Sequence, residues 1–139
     1  MRAQPSSNFP SPAMQLNQIL YIEDDDDIRQ VVSLLLSSQG IQVHAFSTSE
    51  QAIEAATELQ PDLVLLDVMM AGRNGFDTLR ELRTLPGYAK TPAVFLTARE
   101  EPEAAVLEAL HPVAIIPKPF EPGILAERLR MIMLDLQSE

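Results

Sequence analysis

The sequence predicts an α/β fold: a doubly wound parallel sheet of five strands in the order 2-1-3-4-5, with helices on both faces. Short, uninterrupted apolar runs recur along the chain, which is typical of strands buried on both faces. Segments with helical spacing separate these runs, so each crossover places a helix on the sheet. Because such crossovers are right-handed, few topologies remain, and this order is a common open one.

The first strand-helix unit begins with an apolar run at residues 19–22, which five acidic residues follow at once. This pattern indicates a buried strand that ends in carboxylates. Asp27 is the expected N-cap of the next helix, and Gly40 its stop. The apolar residues of this helix have helical spacing and should form its buried stripe: Ile28, Val31, Val32, Leu35 and Leu36.

The second unit begins at residues 41–46, where apolar and polar residues alternate as in a half-buried strand. Ser47 and Glu50, three residues apart, form a capping-box pattern. They predict a helix that continues to about Leu59.

The third unit begins with the apolar run 63–66, which is too short for a helix and ends at Asp67. Phe76, Leu79 and Leu82 then have helical spacing, and the Pro-Gly pair at 86–87 ends that helix.

The last two units complete the alternation. Residues 93–96 form the fourth strand, closed by Thr97, and a helix follows at 102–110. The fifth strand, 113–116, lies at an edge of the predicted sheet, where Pro117 is tolerable because an edge strand needs fewer backbone donors. The last helix, 122–136, should carry five apolar residues inward: Ile124, Leu125, Leu129, Ile132 and Met133.

Length and composition indicate one domain. A chain of 139 residues with 46% hydrophobic content is sufficient for a single packed core. The segment 1–17 is rich in proline and polar residues and has too little apolar surface to offset the entropy cost of ordering. We therefore expect a flexible tail at 1–17 and a folded domain at 18–139.

The charge balance argues against several partner classes. Twenty acidic against ten basic residues give a formal charge of −10, which repels nucleic-acid phosphates and anionic lipid. The absence of cysteine excludes disulfides and thiolate metal sites. No apolar run is long enough to cross a bilayer, and none resembles a signal peptide. We expect a cytoplasmic protein that binds neither nucleic acid nor membrane.

Several polar side chains should meet at the carboxyl ends of the strands. In the predicted order the first and third strands are neighbours, and ligands bind beside such a switch point. Glu23, Asp24 and Asp67 would lie there and repel one another unless a cation neutralised them. Magnesium prefers such oxygen ligands together with phosphate oxygens. With it in place Asp67 can attack a phosphorus atom, while Thr97 and Lys118 donate to the phosphoryl oxygens.

Several short motifs follow the strands in order: the acidic pair after the first strand, the Pro-Asp-Leu-Val-Leu-Leu-Asp run at 61–67, the Met-Met pair at 69–70, Gly75, Thr-Ala at 97–98 and Lys-Pro-Phe at 118–120. In these motifs the chain resembles the response-regulator receiver family, which has a flavodoxin-like (βα)5 fold. These features occur in order at the family's approximate spacings and cover residues 18–139.

The resemblance implies specific roles. Asp67 would be the phosphoacceptor, Asp24 would ligate Mg²⁺ directly, Glu23 would hold it through water, and Met69 would contribute its backbone carbonyl. Lys118 and Thr97 would hold the phosphoryl group, and the Lys118–Pro119 bond would be cis. The partners implied are a sensor histidine kinase or a histidine phosphotransfer protein and a downstream effector protein. Such a protein catalyses only its own phosphorylation and dephosphorylation.

The chain departs from the family pattern at three places. Ala71 replaces a usual proline and should loosen the loop after the phosphoacceptor. Ile115 occupies the place of an aromatic residue that changes rotamer during switching. His-Pro at 111–112 replaces a glycine-alanine turn, so the surface between the fourth helix and the fifth strand is expected to be remodelled.

Other residues of these segments have simpler interpretations. Acidic runs at helix starts are favoured by the helix macrodipole. Residues 25–27 are therefore expected to serve the loop and the helix start as exposed or capping side chains. Met69 and Met70 are expected to pack against neighbours, apart from the Met69 carbonyl. His44 and His111 are expected to be structural, because neither lies at a strand end beside a tuning partner.

These residues are compatible with three functions. The leading one is a stand-alone receiver whose output is a protein contact, since the chain ends just after the last predicted helix. The second is a receiver-like interaction module that is not phosphorylated, which Ile115 and Ala71 favour and the complete acidic site opposes. The third is a phosphatase with an aspartyl intermediate, but such enzymes typically have a second aspartate where Met69 stands.

Overall fold

The computed structural model describes residues 16–70, 74–97, 114–118 and 121–137. Within them the chain forms five strands and four helices. The strands are β1 (Gln18–Ile22), β2 (Gln42–Phe46), β3 (Leu63–Asp67), β4 (Ala93–Thr97) and β5 (Ala114–Pro117). The helices are α1 (Asp26–Ser38), α2 (Ser49–Ala56), α3 (Gly75–Leu82) and α4 (Pro122–Gln137). The helix predicted at 102–110 lies outside the described residues.

The five strands form one parallel sheet in the order β2-β1-β3-β4-β5, which confirms the predicted topology. All five residues of β3 are buried, as expected for a central strand with helices on both faces. The edge strand β5 ends at Pro117, whose register partner is Thr97. Proline is tolerated there because an edge strand leaves one row of backbone groups without strand partners.

Each face of the sheet has its own apolar core. On one face, α1 and α4 pack on alternate residues of the strands, among them Ile19, Tyr21, Leu63, Leu65 and Ile116. On the other face, α2 and α3 cover the intervening residues. Because side chains alternate along a strand, residues two apart share a face. This alternation also decides which residues at the strand ends face one another.

The N-caps predicted for α1 and α2 are wrong by two residues and by one residue, respectively. The cap of α1 is Asp25 and not Asp27, because the Asp25 carboxylate accepts the Ile28 N–H while its own backbone is extended. The cap of α2 is Thr48 and not Ser47, since the Thr48 hydroxyl accepts the Gln51 N–H. Helix α2 also ends at Ala56, three residues before the predicted end.

Two apolar residues predicted to face inward are exposed. Val31 in α1 and Ile124 in α4 have relative accessibilities of 46% and 48%. The sheet covers only part of each helix circumference, so the buried stripe is narrower than the apolar stripe in the sequence. Leu125, Leu129 and Met133 of α4 are buried as predicted.

The chain is fixed to the domain just before β1. Leu16 is buried in the α1–α4 core. The backbone N–H groups of Asn17 and Gln18 both donate to Asp62 Oδ2, at 2.8 and 2.9 Å. The tail predicted at 1–17 otherwise lies outside the described residues. Among the helices that the structure describes, none has the length and apolar character needed to cross a bilayer.

Candidate acidic site at the carboxyl ends of the strands

Three strand ends supply the central side chains of the site. Glu23 directly follows β1, Asp67 is the last residue of β3, and Lys118 directly follows β5. Each lies two residues after a member of the α1–α4 core, namely Tyr21, Leu65 and Ile116. The alternation of a strand therefore turns all three side chains toward the same face of the sheet.

Lys118 joins the two carboxylates. Its Nζ donates to Asp67 Oδ2 at 2.9 Å and to Glu23 Oε1 at 3.2 Å. Glu23 and Asp67 are both buried, with accessibilities of 1% and 4%, and the Lys118 side chain is 17% exposed. Both carboxylates are thus largely shielded from solvent, while part of the Lys118 side chain stays accessible.

Asp24 completes the acidic cluster from the solvent side. It is exposed, and a carboxylate oxygen from each of Glu23, Asp24 and Asp67 lies within 4.8 Å of the others. The sequence prediction that these three residues meet is therefore confirmed in geometry. Their roles as ligands stay predictions.

The electrostatics of the cluster favour an added cation. The pKa of Glu23 is raised to about 7, first by burial and then by the neighbouring Asp67 carboxylate, while Lys118 and the Asp25 N–H act in the opposite direction. For Lys118, burial lowers the pKa, but its contacts with Asp67 and Glu23 outweigh burial and leave the pKa above its usual value. One lysine thus neutralises the buried carboxylates incompletely.

These residues fit a magnesium ion. The donor set is three carboxylates and no nitrogen or sulfur ligand among the residues of the cluster, which matches the hard-oxygen preference of Mg²⁺. The oxygen separations allow one cation to contact all three groups. A divalent ion would also relieve the repulsion that raises the pKa of Glu23.

The backbone around the phosphoacceptor candidate is fixed by hydrogen bonds. The Met69 N–H donates to Asp67 Oδ1 at 3.1 Å, and the Val68 N–H donates to the Leu96 carbonyl at 3.0 Å. The packing interpretation is wrong for Met69, which is 48% exposed, whereas Met70 packs on the α2–α3 core. The role predicted for the Met69 carbonyl is untested.

The remaining predicted positions are only partly described. Thr97 ends β4 at the same edge of the sheet, but the role of its hydroxyl lies outside what the structure describes. Ala71, His111 and Pro119 also lie outside the described residues. Ile115 is half-buried and packs against the α2–α3 core, on the face opposite Lys118.

Two residues near the site were missed by the sequence analysis. The Tyr21 side chain is buried, and its pKa is raised first by burial and then by the charges of Glu23 and Asp67. Arg29 donates from one guanidinium nitrogen to the Glu23 carbonyl at 2.8 Å and from the other to Asp26 at 2.5 Å. The two-residue strand period places Tyr21 beneath Glu23 and was the available signal.

Comparison with known proteins identifies the family of this chain. The family model of the response regulator receiver domain matches residues 19–130. The chain belongs to the response regulator receiver family. It is 37% identical over 115 residues to the DNA-binding response regulator MtrA of Mycolicibacterium smegmatis, covering 81% of this chain and 49% of that protein. It is 39% identical over 119 residues to the transcriptional regulatory protein CpxR of Klebsiella pneumoniae, covering 85% and 50%.

Solved receiver structures share the fold. The chemotaxis response regulator CheY4 of Vibrio cholerae superposes with a TM-score of 0.77 at 28% identity, over 85% of this chain and 99% of that chain. The receiver domain of the hybrid histidine kinase CckA gives 0.68 at 30% identity, over 84% and 99%. The chain thus matches whole receiver domains, while it spans about half the length of the curated relatives MtrA and CpxR.

Proposed function

We propose that this receiver domain accepts a phosphoryl group on Asp67 from a sensor histidine kinase or a histidine phosphotransfer protein, with Mg²⁺ as cofactor. One observation carries the proposal: Asp67 lies buried among Glu23, Asp24 and Lys118 at one edge of the sheet. A side chain with only a structural role would not need two further carboxylates beside it. We propose residues 18–139 as the receiver domain and 1–17 as a tail whose last two residues, Leu16 and Asn17, are fixed to the domain.

The geometry supports a simple transfer. An Asp67 carboxylate oxygen attacks the phosphorus atom, the bond between phosphorus and the donor imidazole breaks, and the imidazole leaves with its electron pair. Glu23, Asp24 and Asp67, with the Met69 carbonyl, would hold Mg²⁺, which supplies charge neutralisation for the phosphoryl oxygens.

Lys118 and Thr97 would hold the phosphoryl group once it is bound. Lys118 already lies 2.9 Å from Asp67 Oδ2, so its ammonium group can follow the negative charge from the carboxylate to the phosphoryl oxygens. Thr97 ends the neighbouring strand, where a hydroxyl can donate to the same group.

The output of the phosphorylated domain is a contact with an effector protein. The relatives MtrA and CpxR are a DNA-binding and a transcriptional regulator by name, and this chain matches about half of each. With a net charge of −10, this chain would act on DNA only through such an effector. The proposal therefore includes a kinase or phosphotransfer protein that phosphorylates the domain and an effector protein that recognises it.

The test is phosphorylation by a small phosphodonor. The protein is incubated with acetyl phosphate and Mg²⁺, and its intact mass is measured. Wild type should gain one phosphoryl group, and Asp67→Asn should gain none. Omission of Mg²⁺ should strongly reduce the adduct on wild type.

Two other outcomes would overturn the proposal. No adduct under any condition would favour an interaction module that is not phosphorylated, which the half-buried Ile115 in place of an aromatic switch residue also favours. Rapid multiple turnover of phosphate esters would indicate a phosphatase instead.

A further inference from the structure

We propose that Gly75 positions the phosphoacceptor. The carbonyl group of Asp67 lies where a side chain at residue 75 would otherwise be, so only glycine leaves room for it. Gly75 is thus a positioning residue for the transfer, and the inference rests on the proposed function of Asp67. The two proposals can fail separately. The role of Gly75 concerns the rate of phosphorylation, whereas the proposed function of Asp67 concerns whether phosphorylation occurs at all.

The contact between the two residues is very close. A Cβ atom added to Gly75 would lie 2.3 Å from the carbonyl oxygen of Asp67, 3.0 Å from its carbonyl carbon and 3.1 Å from the Cα of Val68. All three neighbours are backbone atoms, so none can rotate away as the end of a side chain would. Relief of the overlap requires movement of a backbone segment by roughly an ångström.

Hydrogen bonds fix the segment on which the added atom would press. The Gly75 N–H donates to the Val68 carbonyl at 2.8 Å, and the Val68 N–H donates to the Leu96 carbonyl at 3.0 Å. The residues just after β3 are thus held between the first turn of α3 and strand β4. This arrangement fixes the backbone from which the Asp67 side chain projects.

Helix α3 cannot easily move away instead. The hydroxyls of Ser49 and Thr78 are 2.5 Å apart and form a buried hydrogen bond between α2 and α3. Thr78 Oγ1 also donates to the Asn74 carbonyl. Leu79 and Leu82 anchor the helix in the α2–α3 core with no exposed surface. Because α3 is anchored in this way, part of the movement that a side chain at Gly75 requires falls on the Asp67 backbone.

The expected consequence is a slower transfer. Asp67 lies at hydrogen-bonding distance from Lys118, and its carboxylate shares the acidic cluster with Glu23 and Asp24. A misplacement of about 1 Å costs on the order of a hundredfold in rate when reacting groups must be aligned. We expect Gly75→Ala to lower the rate of phosphorylation by about ten- to a hundredfold.

The experiment compares Gly75→Ala with Gly123→Ala. Both glycines lie in the first turn of a helix, and alanine favours a helix more than glycine does. A Cβ on Gly123 meets no atom within 4 Å, so this variant makes the same substitution without the contact. The rate of phosphorylation by acetyl phosphate is measured at saturating Mg²⁺, and the folded fraction is measured by circular dichroism.

The readout is the rate per folded molecule. A merely structural role for Gly75 would reduce the folded fraction while the folded molecules react at the wild-type rate, and this result would overturn the inference. A rate per folded molecule lowered at least about tenfold in Gly75→Ala, with Gly123→Ala equal to wild type, supports it. Failure of wild type to accept phosphate would instead overturn the proposed function.

Loss of folding does not end the test. If Gly75→Ala is unfolded in buffer, all proteins are measured in trimethylamine N-oxide, which favours the folded state. The same comparison of rates per folded molecule then decides.

Discussion

The two ends of the sheet differ in how their polar groups are paired. At the amino ends of the strands, the Tyr88 hydroxyl donates to the carbonyls of Ala56 and Leu59 at 2.7 and 3.3 Å. Arg83 donates to the carbonyls of Tyr88 and Thr91 at 2.9 and 2.5 Å. At the carboxyl ends, Glu23 and Asp67 are buried side by side with one lysine between them.

This difference separates stability from function within one small domain. We call the group formed by Arg83, Tyr88 and their carbonyl partners the Arg83–Tyr88 corner. Each donor in it has an acceptor, so its hydrogen bonds stabilise the segments that precede β3 and β4. The acidic site gathers like charges, which opposes folding until a cation binds. Such incompletely compensated charge marks a functional site, while matched hydrogen bonds indicate a structural one.

The largest expected effect concerns the pH dependence of folding in metal-free protein. The pKa of buried Glu23 is about 7 in the folded state against 4.5 ordinarily, so the folded state favours its protonated form. The associated stability is fully present below the unfolded pKa and is lost as pH rises through about 7. Glu23→Gln should therefore gain roughly 3 kcal/mol over wild type across this window.

The check is urea unfolding in EDTA at several pH values. Lys118 does not interfere, because the stability that its raised pKa provides is lost only above its ordinary value of 10.5. Glu58→Gln, an exposed glutamate at the opposite end of the sheet, is the control and should follow wild type. Parallel pH curves for wild type and Glu23→Gln would contradict this account of the acidic site.

The next effect concerns magnesium. An ion that binds only the folded state stabilises it by about 2.7 kcal/mol at a concentration one hundred times its Kd. Thermal unfolding should show this stabilisation in wild type. Asp24→Ala should lose most of it, because one of the three proposed carboxylate ligands is removed.

Asp62→Ala is the wrong control for this test, because the Asp62 carboxylate accepts two backbone N–H groups and its loss would disturb the fold itself. Glu58→Ala is the matched control and should respond to Mg²⁺ as wild type does. Equal responses of wild type and Asp24→Ala would remove Asp24 from the metal site.

The smallest effect tests the other end of the sheet. Tyr88→Phe removes the hydroxyl that donates to Ala56 and Leu59 and should lower the free energy of unfolding by about 1 kcal/mol. Its rate of phosphorylation by acetyl phosphate should equal that of wild type, since the two ends are independent. A changed rate would show that the Arg83–Tyr88 corner is coupled to Asp67.

The elements and topology were largely predictable from the sequence. Strands such as β3 are apolar up to their last residue because helices cover both faces, and this pattern is distinctive. Helix starts were harder to locate. Asp25, Asp26 and Asp27 are chemically alike, so only the extended backbone of Asp25 decides which of them caps α1.

By itself, the sequence determined the fold class, the strand order and the three carboxylates at the strand ends, since local apolar patterns and chain topology are enough to bring these ends together. Tertiary structure alone decided that Lys118 bridges Glu23 and Asp67, and that Gly75 packs on the Asp67 carbonyl. Both contacts join residues from different elements at atomic distance. Their geometry depends on how helices and strands pack, which no local pattern specifies.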